Sequence, residues 1–88
     1  MDKRKTYNIK IEILKLLENK SLSYTEIQTK LSTNYDSVKN NCKELEIFEF
    51  IEIKTIKKHP ENGKIAYKIN LTNNGYKILE KIKNQEDN

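Results

Sequence analysis

The sequence predicts an α+β fold of three helices, a two-stranded β-hairpin and a C-terminal helix, and three observations support it. Apolar residues recur with a helical period as far as residue 45. From Phe50 the period changes to two, in FIEIKTI and IAYKINL, which are rich in β-branched and aromatic residues. Helical spacing returns in TNNGYKILEKI, where Thr72 is a good helix cap. At 88 residues the chain has room for one core, so we expect a single domain over residues 1–88 with an ordered part of about 7–83.

The first predicted helix covers residues 7–19. Its main apolar face holds four residues at i, i+4, i+7 and i+8: Ile9, Ile13, Leu16 and Leu17. Ile11 and Leu14 lie on another side of the helix. This second stripe either packs under another element or meets a partner subunit, and we favour the partner.

A short second helix is predicted to begin after Ser23, because Ser23 and Glu26 have the spacing of a capping box. Ser32, Thr33 and Asn34 then interrupt the helical pattern. We expect a third helix from about Tyr35.

The third helix has a narrow inward stripe at i, i+4 and i+7: Val38, Cys42 and Leu45. Cys42 is predicted to be a small buried hydrophobic residue, because no His or Cys partner stands near it in the pattern. The outward face is polar and holds Ser37, Lys39, Asn40 and Lys43, with Asn41 at its margin. We expect Asp36, near the start of the helix, to act as a cap.

The register of the hairpin is open to two predictions. Asn62-Gly63 favours a two-residue turn, but the register imposed by that turn would put the apolar residues of the two strands on opposite faces. Pairing Ile53 with Ile69 instead gathers five apolar residues on one face: Ile51, Ile53, Tyr67, Ile69 and Leu71. This second register also moves Pro60 out of the ladder. We predict it, with a wider loop of roughly Lys58–Lys64.

Composition excludes several classes of protein. The single Cys42 and single His59 cannot form an intramolecular disulfide or a zinc-binding cluster. The charged N-terminal stretch is unlike a signal peptide or a membrane span. Neither a Gly-rich phosphate loop nor a plausible catalytic pairing is present. We therefore expect a cytoplasmic protein that is not an enzyme and binds no cofactor, metal or membrane.

Positive charge is concentrated in two segments, although the formal net charge is only +4. Residues 1–10 carry four basic residues against one acidic residue, and residues 54–68 carry five lysines against one glutamate. This distribution indicates a polyanionic partner, with purely solubilising lysines as the alternative.

Two short helices with a tight polar turn, followed by a basic hairpin, form a winged helix-turn-helix. The chain resembles winged-helix DNA-binding domains of the MarR, ArsR and PadR type, and most of all the short winged-helix transcription regulators common in archaea. Three stretches carry the resemblance: SYTEIQTKLSTNYDSVKNNCKELE, the strand pair FIEIKTI and IAYKINL, and LTNNGYKILEKI. One departure is Glu49, which stands where the family usually has Gly, so we expect a reshaped turn there.

The resemblance implies sequence-specific binding of double-stranded DNA, with ten contacting residues: Tyr35, Ser37, Lys39, Asn40, Asn41, Lys43, Lys57, Lys58, His59 and Lys64. The third helix would enter the major groove, where Asn40 or Asn41 would bond adenine. Lys39 or Lys43 would reach guanine or phosphate, and the hairpin loop would contact the backbone. By itself this helix face also fits an ordinary solvated surface. The alternative function is a winged-helix protein-interaction module, which the glutamates at residues 44–52 favour.

A homodimer is expected, because one short recognition helix reads few bases. The first and last helices are the candidates for the interface, with Ile11, Leu14, Tyr76 and Ile78 as contacts. Whether the basic N-terminal arm, Lys3 to Lys5, touches the duplex stays open. The tyrosines are distributed over separate elements, which favours core or interface positions over a stacking platform for single strands.

Overall fold

A computed structural model describes residues 6–56 and 66–86 of the chain. The elements follow the predicted order: α1 (Thr6–Leu17), α2 (Tyr24–Leu31), α3 (Tyr35–Ile47), β1 (Ile51–Ile56), β2 (Ala66–Leu71) and α4 (Asn73–Glu86). The predicted fold class, a winged helix-turn-helix with a two-stranded hairpin and a C-terminal helix, is confirmed.

The turn between α2 and α3 is built from side-chain caps. The Glu26 N–H donates to Ser23 Oγ at 3.1 Å and the Ser23 N–H donates to Glu26 Oε1 at 3.0 Å, so the predicted capping box is present. Ser32 ends α2 in the left-handed conformation, with φ of 53°. The cap of α3 is Asn34, whose Oδ1 accepts from the Ser37 N–H at 2.7 Å. The prediction that Asp36 is the cap was wrong, because Asp36 lies inside the first turn.

α3 ends in a common helix-terminating motif, although Glu49 stands at the position where glycine is usual. The Phe50 N–H donates to the Leu45 carbonyl at 3.0 Å and the Glu49 N–H donates to the Glu46 carbonyl at 2.9 Å. These two bonds define a Schellman motif, whose left-handed position favours glycine. Glu49 occupies that position with φ of 65°. The turn is therefore not reshaped, and the glutamate is held in a conformation that costs about 1 kcal/mol or more.

The start of α4 packs on this turn. The Thr72 hydroxyl donates to the Glu49 carbonyl and accepts from the Gly75 N–H, which confirms Thr72 as the cap. A Cβ added to Gly75 would lie 2.0 Å from the Phe50 carbonyl oxygen. Only glycine fits here, because the opposing atom belongs to the backbone and cannot rotate away.

The hairpin has the register predicted from its apolar pattern. Ile53 pairs with Ile69, and the antiparallel ladder runs from Ile51 with Leu71 to Ile56 with Ala66. Ile51 and Ile69 are buried, and the Asn-Gly turn lies outside the described residues. Leu22 adds a one-residue bridge on Ile69, through N–H to carbonyl distances of 3.1 and 2.8 Å. No sequence pattern predicts this bridge, because a single extended residue has no period.

One hydrophobic core joins all the elements. Its buried residues are Ile9, Ile13, Leu14, Leu17, Leu22, Tyr24, Ile27, Leu31, Val38, Cys42, Leu45, Ile51, Ile69 and Leu79. The predicted inward stripe of α3 is confirmed in full. Leu14, only 2% exposed, packs in this core. The prediction that Leu14 points outward as a dimer contact is therefore corrected. The other interpretation of the second stripe of α1, that it packs under another element, is right for Leu14.

Candidate nucleic-acid interface

The outward face of α3 presents five polar side chains, and three of them have no partner in the described part of the chain. Tyr35, Asn40 and Lys43 are exposed, while Ser37 and Lys39 are half-buried. Within residues 6–56 and 66–86, the side chains of Lys39, Asn40 and Lys43 make no hydrogen bond or ion pair. Their donors and acceptors are therefore available to a ligand.

Asn41 does not belong to this face, and its prediction as a base-reading residue is corrected. The residue is 4% exposed. Its Nδ2 donates to the Ser37 carbonyl at 2.7 Å and its Oδ1 accepts from Lys10 Nζ at 2.9 Å. Both ends of the amide are occupied within the protein, so Asn41 links α3 to α1 and leaves Asn40 as the asparagine of the outward face.

Charge changes sign along α3. Lys39 and Lys43 lie in the first nine residues, whereas Glu44, Glu46 and Glu49 are exposed at and beyond the C-terminal end. Glu44 forms an ion pair with Lys10 at 3.0 Å. Asp36 offsets one of the two lysines, so the first nine residues carry a net charge of +1, against three glutamates at and beyond the end of the helix. A polyanion is therefore favoured along the first nine residues and repelled from the C-terminal end.

Three tyrosines connect the start of α3 to the hairpin. The Tyr24 ring lies 5.8 Å from the Tyr35 ring in an edge-to-face arrangement and 5.2 Å from the Tyr67 ring. Burial, assisted by nearby Cys42 and Tyr35, raises the pKa of Tyr24 to about 12, so Tyr24 is uncharged at neutral pH. Tyr24 and Tyr67 belong to separate elements of the sequence, but the fold brings both into contact as a cluster with Tyr35. This tyrosine cluster places α3 and the hairpin side by side.

The hairpin also has an outer face, which points away from the core. It holds six residues in three cross-strand pairs: Glu52 with Asn70, Lys54 with Lys68, and Ile56 with Ala66. All of them are exposed except Asn70, which is half-buried. The predicted loop contacts Lys57, Lys58, His59 and Lys64 lie outside the described residues.

An apolar groove opens on a different side of the molecule, between α1, the end of α3 and α4. Its volume is about 360 Å³, and it is lined by Lys10, Ile11, Leu14, Leu45, Phe48, Phe50, Ile78, Lys81, Ile82 and Gln85. Three of the four predicted dimer contacts, Ile11, Leu14 and Ile78, line this groove, although Leu14 is buried. Tyr76 does not line it, and its hydroxyl donates to the Glu18 carbonyl at 3.3 Å.

No reactive centre accompanies these surfaces in the described part of the chain. Burial, with a smaller effect from Glu46, raises the pKa of the Cys42 thiol to about 12, so the predicted role of Cys42 as a core residue is confirmed. No group of three His, Cys, Asp or Glu residues could hold a metal ion in residues 6–56 and 66–86. Over the same ranges, every helix is too short or too polar to cross a bilayer.

Comparisons with known proteins place this geometry among winged-helix regulators. No family model matches the chain, and no curated protein matches it. Among solved structures, a PadR family transcription regulator from Clostridium difficile R20291 is 29% identical over 89% of this chain and 84% of its own, with a TM-score of 0.71. Bacillus subtilis PadR in complex with operator DNA is 21% identical over 83% of this chain and 45% of its own, with a TM-score of 0.75. The protein smu.1704 from Streptococcus mutans UA159 is 16% identical over 98% and 82%, with a TM-score of 0.82.

These similarities define the fold as a winged helix of the kind found in PadR family regulators. The chain spans less than half of the B. subtilis protein. The three similar proteins come from bacteria, so the archaeal part of the resemblance has no support.

Proposed function

We propose that this chain is a winged-helix transcription regulator that binds double-stranded DNA with sequence specificity through α3. One observation carries the proposal: the outward face of α3 presents Lys39, Asn40 and Lys43 without a hydrogen bond or ion pair to any residue in ranges 6–56 and 66–86. Similarity to PadR family regulators, one of them solved on operator DNA, supports it.

Each side chain has a role that follows from its chemistry. Asn40 bonds adenine through its amide, and Lys43 and Lys39 reach guanine or a phosphate. Tyr35 and Ser37, at the start of α3, contact the backbone. The wing loop with Lys57, Lys58, His59 and Lys64 supplies a second backbone contact in this proposal.

A homodimer completes the proposed regulator. The groove presents exposed or half-buried apolar side chains on α1, on the end of α3 and on α4, among them Ile11, Phe48, Ile78 and Ile82. A two-fold axis through this groove would bury these side chains and double the number of bases read.

The test is selection of duplexes that the purified protein retains from a random pool. We expect enrichment of one motif, and Asn40→Ala should weaken binding to that motif by about 1–3 kcal/mol while leaving random duplex nearly unchanged. Equal loss on both duplexes would remove Asn40 as a base reader. Failure of the parent to retain any duplex at low salt would end the regulator proposal.

A second function has one observation in its favour. Ile47 is 77% exposed and Phe48 is 59% exposed, and both lie among the glutamates at the end of α3. An acidic and apolar surface of this kind fits a protein partner. Absence of DNA binding in the selection would therefore favour the protein-interaction module.

A further inference from the structure

One lysine of α1 holds two side chains of α3. Lys10 Nζ donates to Asn41 Oδ1 at 2.9 Å and forms an ion pair with Glu44 Oε1 at 3.0 Å. Asn41 and Glu44 are three residues apart, so they are neighbours on one face of α3, about one turn from each other. The Lys10 side chain is only 17% exposed, so water competes little for its ammonium group. A single cation on α1 therefore holds α3 at two successive turns.

This contact is fixed at both ends. On α1, Lys10 directly follows Ile9, and both Ile9 and Ile13 are buried in the core. On α3, Asn41 Nδ2 donates to the Ser37 carbonyl at 2.7 Å. The Asn41 amide cannot turn without losing a hydrogen bond at each end. The contact thus joins the backbone of one helix to a buried part of the other.

The contact restrains a motion that the core controls less directly. The buried stripe of α3 consists of Val38, Cys42 and Leu45, and apolar contacts are non-directional. Hydrogen bonds, in contrast, weaken steeply when their angle changes. The bonds from Lys10 lie to the side of this stripe and therefore add a directional restraint on rotation of α3 about its own axis.

Rotation of α3 decides where Asn40 points. Adjacent residues of an α-helix are about 100° apart around the axis, so Asn40 is turned outward while Asn41 is enclosed. A side chain ends about 5–6 Å from the axis, and a rotation of about 10° therefore moves it by about 1 Å. A hydrogen bond tolerates a change of only about 0.5 Å in donor–acceptor distance. A small rotation is thus enough to break a bidentate contact with a base.

We propose that Lys10 is a positioning residue for base reading, which acts through Asn41 and Glu44 to set the rotation of α3 and the direction of Asn40. The inference rests on the proposed function and adds to it a residue of α1. Lysines that contact phosphates have long flexible stems and adjust to a small rotation. Lys10 therefore governs discrimination between DNA sequences more than affinity for DNA in general.

The first test is Lys10→Met, which removes the ammonium group and keeps an unbranched apolar side chain. Affinities are measured for the duplex motif enriched by selection and for random duplex, at a temperature where the variant is folded. The ratio of the two affinities should fall about fivefold or more, the lower end of what one bidentate base contact contributes. Loss of a positive charge affects both duplexes alike, because their phosphates are the same. An unchanged ratio would overturn the proposal.

A second test shows whether Lys10 acts through Asn40. In an Asn40→Ala background, Lys10→Met should reduce the ratio of affinities by less than half of its factor in the parent, on a logarithmic scale. Residues that act on one contact are not additive, whereas independent residues are. The same reduction in both backgrounds would refute the positioning of Asn40 by Lys10.

Glu44→Gln provides a variant that leaves the groove unchanged, since Lys10 lines the groove and Glu44 does not. It removes the charge that holds Lys10 and also removes one carboxylate that repels DNA. Affinity for random duplex should therefore rise while the ratio of affinities falls, as it does for Lys10→Met. A purely electrostatic role would raise both affinities equally, and that result would contradict the proposal. Sedimentation of both variants at the binding concentration checks that their mass equals that of the parent.

The matched control for stability is Ile13→Val, a change to a fully buried residue one turn further along α1. It should lower the unfolding temperature by about 4–8 °C and leave the ratio of affinities unchanged. If this control narrowed the ratio as far as Lys10→Met does, discrimination would follow stability and the positioning role would be refuted.

The outcomes also separate this inference from the proposed function. If the parent prefers one motif, Asn40→Ala reduces that preference and Lys10→Met does not, only the role of Lys10 is refuted. If the parent retains no duplex at low salt, the regulator proposal and the role of Lys10 are refuted together.

Discussion

The two halves of α3 present opposite surfaces on one 13-residue helix. The first nine residues expose Tyr35 and Asn40, and their two lysines, Lys39 and Lys43, have no carboxylate partner in the described part of the chain. The C-terminal half exposes Glu46 and Ile47 and ends beside the apolar groove. The first nine residues offer polar side chains to a ligand, whereas the end of α3 leads into the turn on which the start of α4 packs.

The largest expected effect comes from disturbing the contact between the start of α4 and the turn that ends α3. Gly75→Ala would place its Cβ against the Phe50 carbonyl oxygen and force α4 away from the turn that ends α3. We expect the free energy of unfolding to fall by about 3 kcal/mol in a urea titration. Asn74→Ala, at the exposed neighbouring position, is the control and should change it by less than about 0.5 kcal/mol. Equal stability of the two variants would show that α4 can shift without cost.

A second experiment tests whether the groove beside the C-terminal half is the dimer interface. Ile82→Glu places a charge on the groove lining and should weaken dimerisation by about 2 kcal/mol or more in sedimentation measurements. Ile47→Glu makes the same chemical change at an exposed residue outside the groove lining and should leave the mass unchanged. If Ile82→Glu still forms a dimer at the same protein concentration as the parent, the interface lies elsewhere.

Two adjacent asparagines give the sharpest comparison of a structural and a free side chain. Asn41→Ala removes the acceptor of Lys10 and should lower the free energy of unfolding by about 1–2 kcal/mol. Asn40→Ala removes an exposed side chain and should change it by less than about 0.5 kcal/mol. Chemical denaturation of both variants would check this, and a reversed order would contradict the assignment of the two residues.

The smallest effect on stability is expected at Glu49, in the turn that ends α3. Glu49→Gly relieves the left-handed conformation and should raise the free energy of unfolding by about 1 kcal/mol. Glu46→Gly makes the same substitution inside α3 and should lower the free energy of unfolding by a similar amount. If Glu49→Gly brought no gain, the glutamate side chain would have to contribute stability that offsets its backbone conformation.

Local patterns predicted most of the fold. The spacing of Ser23 and Glu26 predicted the start of α2. The five apolar residues of the hairpin predicted its register correctly, against the register that the Asn-Gly turn favours, because burial of an apolar face outweighs a turn preference. The candidate site was harder to predict. Asn40 and Asn41 differ by one residue at the edge of a narrow stripe, and only the position of Lys10 on α1 shows which of them is enclosed.

Long-range contacts account for the other differences. Leu14 is buried beside the end of α3 and α4, whereas Ile11 on the same side of α1 stays half-buried, and nothing in the spacing of α1 reveals that difference. The meeting of Tyr24, Tyr35 and Tyr67 likewise depends on how three elements are placed in space. Sequence periodicity identifies which face of an element is apolar, but it does not identify the partner of that face.

The tyrosine cluster gives the protein a built-in optical reporter. The chain has no tryptophan and five tyrosines, and three of those five lie in contact between α3 and the hairpin. Aromatic rings held in fixed, chiral contact dominate the near-ultraviolet circular dichroism of a protein without tryptophan. Any change in the angle between α3 and the hairpin therefore alters a signal that is read from the unlabelled protein in solution.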